Sequence, residues 1–253
     1  MDKARGNIGL FVSCLVDLAR PQTGFAALNL LQKAGFGVCV PEQSCCGQPA
    51  YNNGHKQQAK DIAKATIHTF EGYDYTIVPS SSCAGMIKHH IPSLLKDEPN
   101  WQKRAANLAQ KTYELTSFLT TIAEIKTVNT VFNGRIYYHE SCSSRREMPA
   151  SGARALLASI KGAEVIDFGD NATCCGFGGL FSIKFPGLSE AMGQNKLQGL
   201  DHGEQALLTG PDLGCLLHIA SKLQQEGYAI KAYHLAEVLN GTLDAEAIAA
   251  PNR

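Results

Sequence analysis

The chain has 253 residues, with 23 basic and 23 acidic side chains and a formal net charge of zero, so there is no electrostatic basis for binding nucleic acid. A hydrophobic content of 44% with 18% charged residues excludes wholesale disorder, and the length suits one large domain or two small ones. No apolar run approaches the roughly 18 residues of a membrane-spanning helix, and the start Met1-Asp2-Lys3-Ala4-Arg5-Gly6 lacks the apolar stretch of a secretory signal. The expected location is the cytoplasm, with any attachment to the inner membrane made through partners.

Short apolar segments rich in Val and Ile predict buried parallel strands near 7–13, 36–41 and 75–79. Between them, Thr23 to Lys33 and Gln57 to Phe70 carry apolar residues at helical spacing. The stretch from Lys88 to Ile125 reads almost entirely as helix and contains the connection to the second half; Pro92, Pro99 and a turn from Asn129 to Gly134 break it. Further strands are predicted near 135–139, 163–168 and 205–209, with helices near 150–161, 187–199 and 215–226. Strands alternating with helices imply right-handed crossovers and parallel sheets. The expected fold is α/β: two tandem lobes, each a small parallel sheet flanked by helices, related by a pseudo-twofold axis. Residues 1–130 would form the first lobe, with a helical insert at about 88–125, and residues 131–253 the second.

Nine cysteines are too many to pass over in a compartment that keeps thiols reduced. Two adjacent pairs precede glycine, Cys45-Cys46-Gly47 and Cys174-Cys175-Gly176. A lone cysteine stands before each pair (Cys14, Cys142) and another after it (Cys83, Cys215), so the pattern C…CCG…C occurs twice and leaves only Cys39 over. Flanking residues repeat as well. Gly6 to Cys14 matches Gly134 to Cys142, Ala34 to Val40 matches Lys161 to Asp167, and Tyr113 to Leu119 matches Tyr233 to Leu239. The chain is a tandem duplication. Because the cysteines follow predicted strands, the four of each repeat should converge on one rim, outside the carboxyl ends of a parallel sheet. The CCG glycine lets the backbone turn tightly there.

For Cys39, in Val38-Cys39-Val40, a buried place in a strand is the expectation. For the other eight, strand-end loops argue against plain burial. Adjacent cysteines bridge only with strain, and no Cys-x-x-Cys redox pair is present. Metal binding remains. Four thiolates per repeat fit tetrahedral zinc or an iron–sulfur cluster. Structural zinc usually takes paired C-x₂₋₄-C knuckles, absent here, so the pattern leans toward a cluster and leaves zinc open.

In tandem, C…CCG…C resembles the cysteine-rich CCG domain family, found in heterodisulfide reductases and in the iron–sulfur subunit of glycolate oxidase. Within that family the chain most resembles the lactate-utilization branch. The shared segments include Cys45-Cys46-Gly47-Gln48-Pro49-Ala50, Leu115-Thr116-Ser117-Phe118, Cys174 to Gly179, Cys215 to Ile219 and His234 to Leu239. The resemblance implies an iron–sulfur subunit of a cytoplasmic, NAD-independent complex that oxidises L-lactate, a small 2-hydroxy acid, to pyruvate. It implies as partners a ferredoxin-like iron–sulfur protein of the B type and a small C-type protein. In heterodisulfide reductases each motif ends in Cys-x-x-Cys, giving five thiolates; here the fifth position is Met86 or His218. The implied ligands are thus Cys14, Cys45, Cys46 and Cys83, then Cys142, Cys174, Cys175 and Cys215, with His218 a candidate extra. They would hold one or two clusters of 4Fe–4S type, or zinc in one site. The second repeat is the better cluster candidate, because His218 lies one helical turn from Cys215.

Oxidising lactate also requires a proton acceptor and a cation for the carboxylate. His139, three residues before Cys142, is the candidate base; Arg145 and Arg146 are candidates for a bidentate carboxylate clamp. His202 and His234 are expected on helix surfaces or at subunit contacts. The rival readings are an electron-transfer or structural subunit with lactate bound elsewhere, and a zinc-bearing structural module.

Overall fold

Each half of the chain builds a four-stranded parallel sheet in the computed structural model, which describes residues 5–149, 152–170, 172–200 and 206–249. Two units are formed, Met1–Ile125 with Glu147–Ser151, and Lys126–Arg146 with Gly152–Arg253. The first runs β1 (Asn7–Leu10), α1 (Cys14–Ala19), α2 (Pro21–Lys33), β2 (Gly37–Cys39), α3 (Gln48–Asn52), α4 (Lys56–Phe70), β3 (Tyr75–Val78) and α5 (Ser81–Gly85). A π-helical turn, Met86–His90, leads into α6 (Ile91–Leu94), then α7 (Pro99–Gln110), β4 (Thr112–Glu114) and α8 (Leu115–Thr121). The sheet order is β2-β1-β3-β4. Ile8, Leu10, Ile77 and Val78 on the two central strands are wholly buried, as the apolar runs predict.

The second unit repeats the plan with β5 (Val131–Tyr138), α9 (Cys142–Glu147), α10 (Ala153–Ala158), β6 (Lys161–Asp167), α11 (Leu180–Lys184) and α12 (Pro186–Leu197). It closes with β7 (Ala206–Gly210), α13 (Leu213–Gln225), β8 (Lys231–His234) and α14 (Leu235–Asn240), in the order β6-β5-β7-β8. Equivalent backbone groups make equivalent bonds: Phe11 N donates to Ile77 O at 2.8 Å, and His139 N to Thr209 O at 2.8 Å. The α/β architecture with two repeated parallel sheets is therefore observed directly.

Several expectations need correction. Lys88 to Ile125 is not all helix, because Thr112–Glu114 supplies the fourth strand, paired in parallel with β3. Its counterpart Lys231–His234 carries no strand-like pattern either. Both strands are short and end on polar residues that cap the next helix. Glu114 accepts from Thr116 N at 2.9 Å and Ser117 N at 3.2 Å. His234 Nδ1 accepts from Ala236 N at 3.1 Å, its Nε2 pairs with Pro211 O at 3.0 Å, and Glu237 closes a capping box on its backbone N–H. His234 is accordingly buried, not on a helix surface; His202 lies outside the described residues. Cys39 is exposed, because β2 is the sheet's edge strand and has β1 on one side only. Val38-Cys39-Val40 looks buried in sequence but lacks the covering layer.

The His234 cap is open to a direct test. Replacing His234 by Ala removes an N-cap acceptor and leaves Pro211 O without its imidazole partner, a loss of about 2 kcal/mol. His234→Asn, which keeps a capping oxygen, should recover part of it. Urea midpoints at unchanged slope, with metal content held constant, check the order.

Candidate functional site

In each unit the first strand lies inside the sheet, so its chain leaves toward one neighbour and returns to the other. The crevice between the carboxyl ends of β1 and β3, or of β5 and β7, is the place where parallel sheets bind ligands. Cys14 opens α1 beyond β1, Cys45 and Cys46 turn beyond β2, and Cys83 stands in α5 beyond β3. Cys14 Sγ lies 3.8 Å from Cys45 Sγ, and Cys46 Sγ lies 3.4 Å from Cys83 Sγ. No disulfide forms among them. Gly47, at φ 86°, turns its amide onto Cys45 Sγ at 3.5 Å. Hydrogen bonds from Cys14 and Cys46, with that amide, hold the Cys45 thiol far below the usual range. The shared proton and burial raise Cys14 and Cys46 correspondingly. Surrounding side chains are apolar: Phe11, Ala84, Met86 and Ile87 join Cys46 and Cys83 in one core cluster.

The second quartet copies this arrangement. Cys175 Sγ lies 3.0 Å from Cys215 Sγ, and Gly176, at φ 89°, donates to Cys174 Sγ at 3.5 Å. Hydrogen bonds from Cys142 and Cys175 make Cys174 the thiolate, and Cys142 is raised in turn. Its lining differs. His139 replaces Phe11, and Asp212, bonded by Ser141 Oγ, stands where the first repeat has Ser80. Lys196 on α12 is 1% exposed and donates to Asp170 O. Burial, with Arg145 nearby, lowers its ammonium pKa, and Cys174 and Cys175 work against that shift.

The structure brings each cysteine quartet together as a cluster of thiols. It separates the two arginines. Arg145 is half-buried and reaches Ala172 O at 3.5 Å, whereas the adjacent Arg146 is exposed. Neighbours on a helix point about 100° apart and do not form one clamp. His218 Nε2 is bonded to Ser189 O at 3.2 Å, on the α12 side of its helix. His139 instead lies under the thiols, its ring atom within 4.8 Å of those of Cys175 and Cys215. It is 2% exposed, and burial chiefly holds its pKa at about 3. Lys196 and Asp212 escaped the sequence reading. The available signal was on α12, where Ser189, Gly193 and Lys196 share the buried face with Leu197 as its one large apolar residue.

Clustered thiols of this kind are donors for a soft metal ion or an iron–sulfur group, and the favoured thiolate in each quartet is the form that binds metal. Two thiolates on one tetrahedral metal with bonds of about 2.3 Å stand about 3.8 Å apart, as Cys14 and Cys45 do. The donor set fits such a group.

Residues 8–88 and 136–220 each match the cysteine-rich CCG domain. Over 236 residues, 92% of the chain, it is 42% identical to lactate utilization protein A of Anoxybacillus flavithermus, covering 99% of that protein. The like-named proteins of Shouchella clausii and Oceanobacillus iheyensis are 41% and 38% identical over the same share, covering 98% and 96% of their lengths. The chain belongs to the cysteine-rich CCG domain family and, within it, to the family of these lactate utilization A proteins.

The glycines of the two CCG turns are not equally replaceable. Alanine at either suffers the left-handed backbone, at about 1–2 kcal/mol. A Cβ at Gly47 would meet the Ile62 side chain at 3.1 Å, which can shift; at Gly176 it would meet the Ser189 carbonyl oxygen at 2.5 Å. Gly176→Ala should therefore lower the thermal midpoint more than Gly47→Ala, and equal losses would contradict the geometry.

Proposed function

We propose that the chain serves lactate utilization as the iron–sulfur subunit of a cytoplasmic, NAD-independent complex that oxidises L-lactate to pyruvate. One observation carries the reading: two thiol quartets sit at the ligand-binding crevices of two parallel sheets, in a chain homologous to lactate utilization A proteins along nearly its whole length. Cys14, Cys45, Cys46 and Cys83, and Cys142, Cys174, Cys175 and Cys215, would be the ligands of clusters of 4Fe–4S type. A bound cluster supplies one-electron storage and transfer. The oxidation releases two electrons and two protons, and the electrons would leave through a ferredoxin-like B-type protein, with a small C-type protein completing the complex.

The chain's own groups have definable tasks around such a site. The amides of Gly47 and Gly176 donate to the Cys45 and Cys174 sulfurs, stabilising their negative charge. Lys196 and Arg145 add positive charge near the second quartet, where thiolates concentrate negative charge. Arg145 is the residue proposed to meet a substrate carboxylate; Arg146, pointing away, is left to a partner or solvent. No helix among the described residues is long and apolar enough to cross a membrane.

A second reading, zinc in one quartet, is favoured by the 3.8 Å separation of Cys14 and Cys45, the edge of a single-ion tetrahedron. Anaerobic purification separates the two. The iron–sulfur reading expects a brown protein with iron and sulfide in equal amounts. Cys174→Ser should remove the second site's share, roughly half of the colour if both sites are filled, and stop lactate-dependent dye reduction by the reconstituted complex. A colourless protein with stoichiometric zinc and no iron would overturn it.

A further inference from the structure

We propose that His139 is a ring-nitrogen ligand of the metal group at the second quartet, beside Cys175 and Cys215, so that this site is mixed imidazole–thiolate while the first is thiolate only. The inference rests on the reading of the quartets as metal sites. It begins from an imidazole that the fold leaves unused. His139 is 2% exposed, and neither Nδ1 nor Nε2 has a hydrogen-bond partner among the described residues. Buried polar atoms are nearly always paired, and each exception requires an account.

The repeat supplies an internal control. Phe11 occupies the equivalent strand end with the same backbone bond, 2.8 Å to the neighbouring strand's carbonyl in both cases. That position therefore asks of the fold only a large buried ring. An imidazole there adds two nitrogens with no structural task, at a site whose other donors are thiols. The ligand atoms of His139, Cys175 and Cys215 all lie within 4.8 Å of one another. Small adjustments would bring them to bonds of about 2.0–2.1 Å for nitrogen and 2.3 Å for sulfur. The ring edge meets Phe168 at right angles, centroids 6.2 Å apart, which fixes its plane. His218, the other histidine near the quartet, has its Nε2 committed to Ser189 O.

Exchanging a thiolate for a neutral imidazole raises the potential of an iron–sulfur centre, as in Rieske-type sites. As a donor added beside the four thiolates, His139 would give the second centre a coordination, and so a potential, distinct from the first. The test uses the full chain, purified anaerobically with ¹⁵N-labelled histidine. For iron, pulsed EPR of the reduced protein should detect a directly bound histidine nitrogen. For zinc, X-ray absorption should detect one imidazole. His139→Cys, which offers a thiolate in its place, should keep the metal, lose the nitrogen signal and lower the midpoint potential of an iron centre. His139→Phe, which imports the residue of the first repeat, should fold, keep metal on its four cysteines, lose the nitrogen signal and shift the spectrum and potential of the second site. A metal-loaded wild type without histidine nitrogen at the metal would overturn the proposal. So would a His139→Phe protein with unchanged spectrum and potential but no lactate-dependent dye reduction, which would make His139 a proton acceptor. A wild-type protein holding neither iron nor zinc would instead defeat the underlying metal reading.

Discussion

When the first strand of a parallel sheet lies inside it, the chain leaves that strand's carboxyl end toward one neighbour and later returns to the other, opening a crevice between the two paths. The rest of this structure depends on that constraint. Cys14 and Cys83, or Cys142 and Cys215, stand on the crevice's two sides, and a CCG turn from the edge strand delivers the remaining two sulfurs. The turn needs a glycine because a left-handed residue directs its amide onto the first sulfur of the pair. The thiols then come into contact, Cys14 with Cys45 at 3.8 Å, Cys46 with Cys83 at 3.4 Å and Cys175 with Cys215 at 3.0 Å, with one thiolate stabilised at the same sequence position in both quartets.

Duplication copied the scaffold, and a few substitutions then made the two sites unlike. Around the first quartet the core is apolar and extends through Met86 and Ile87 into the helical segment that follows. Around the second, the same strand ends carry His139 and Asp212, and α12 contributes Lys196 from a buried face shared with Ser189, Gly193 and Leu197. Sites with the same thiol count but different surroundings should differ in charge balance and in reduction potential. On the iron–sulfur reading proposed above, two unequal centres would favour electron passage in one direction, in a chain whose relatives are named for lactate utilization.

Much of this was legible in the sequence, for identifiable reasons. Buried parallel strands such as Ile8 to Leu10 and Ala206 to Leu208 appear as unbroken apolar runs because both faces are covered. Cysteine spacing showed the duplication without any structural knowledge. The fourth strands did not show, since Thr112–Glu114 and Lys231–His234 are short and their last residues act as helix caps. Cys39 misled because local pattern does not report whether a strand is an edge. His139 stood out by position, but a strand-end residue's side is set by neighbours distant in sequence, and it proved to be buried beside the thiols of Cys175 and Cys215. Lys196 was hard to single out as one of several polar residues, with Ser189, Glu190, Gln194 and Asn195, in a weakly patterned helix.

The central claim is that both sheet crevices are metal-binding sites held by their own four cysteines. Crystals grown anaerobically, with anomalous diffraction recorded on both sides of the iron and zinc edges, test it most directly. The account predicts anomalous density within bonding distance of Cys14, Cys45, Cys46 and Cys83, and separately of Cys142, Cys174, Cys175 and Cys215. Anomalous maps empty at both quartets, with the sulfurs joined as disulfides or left as free thiols, would contradict it.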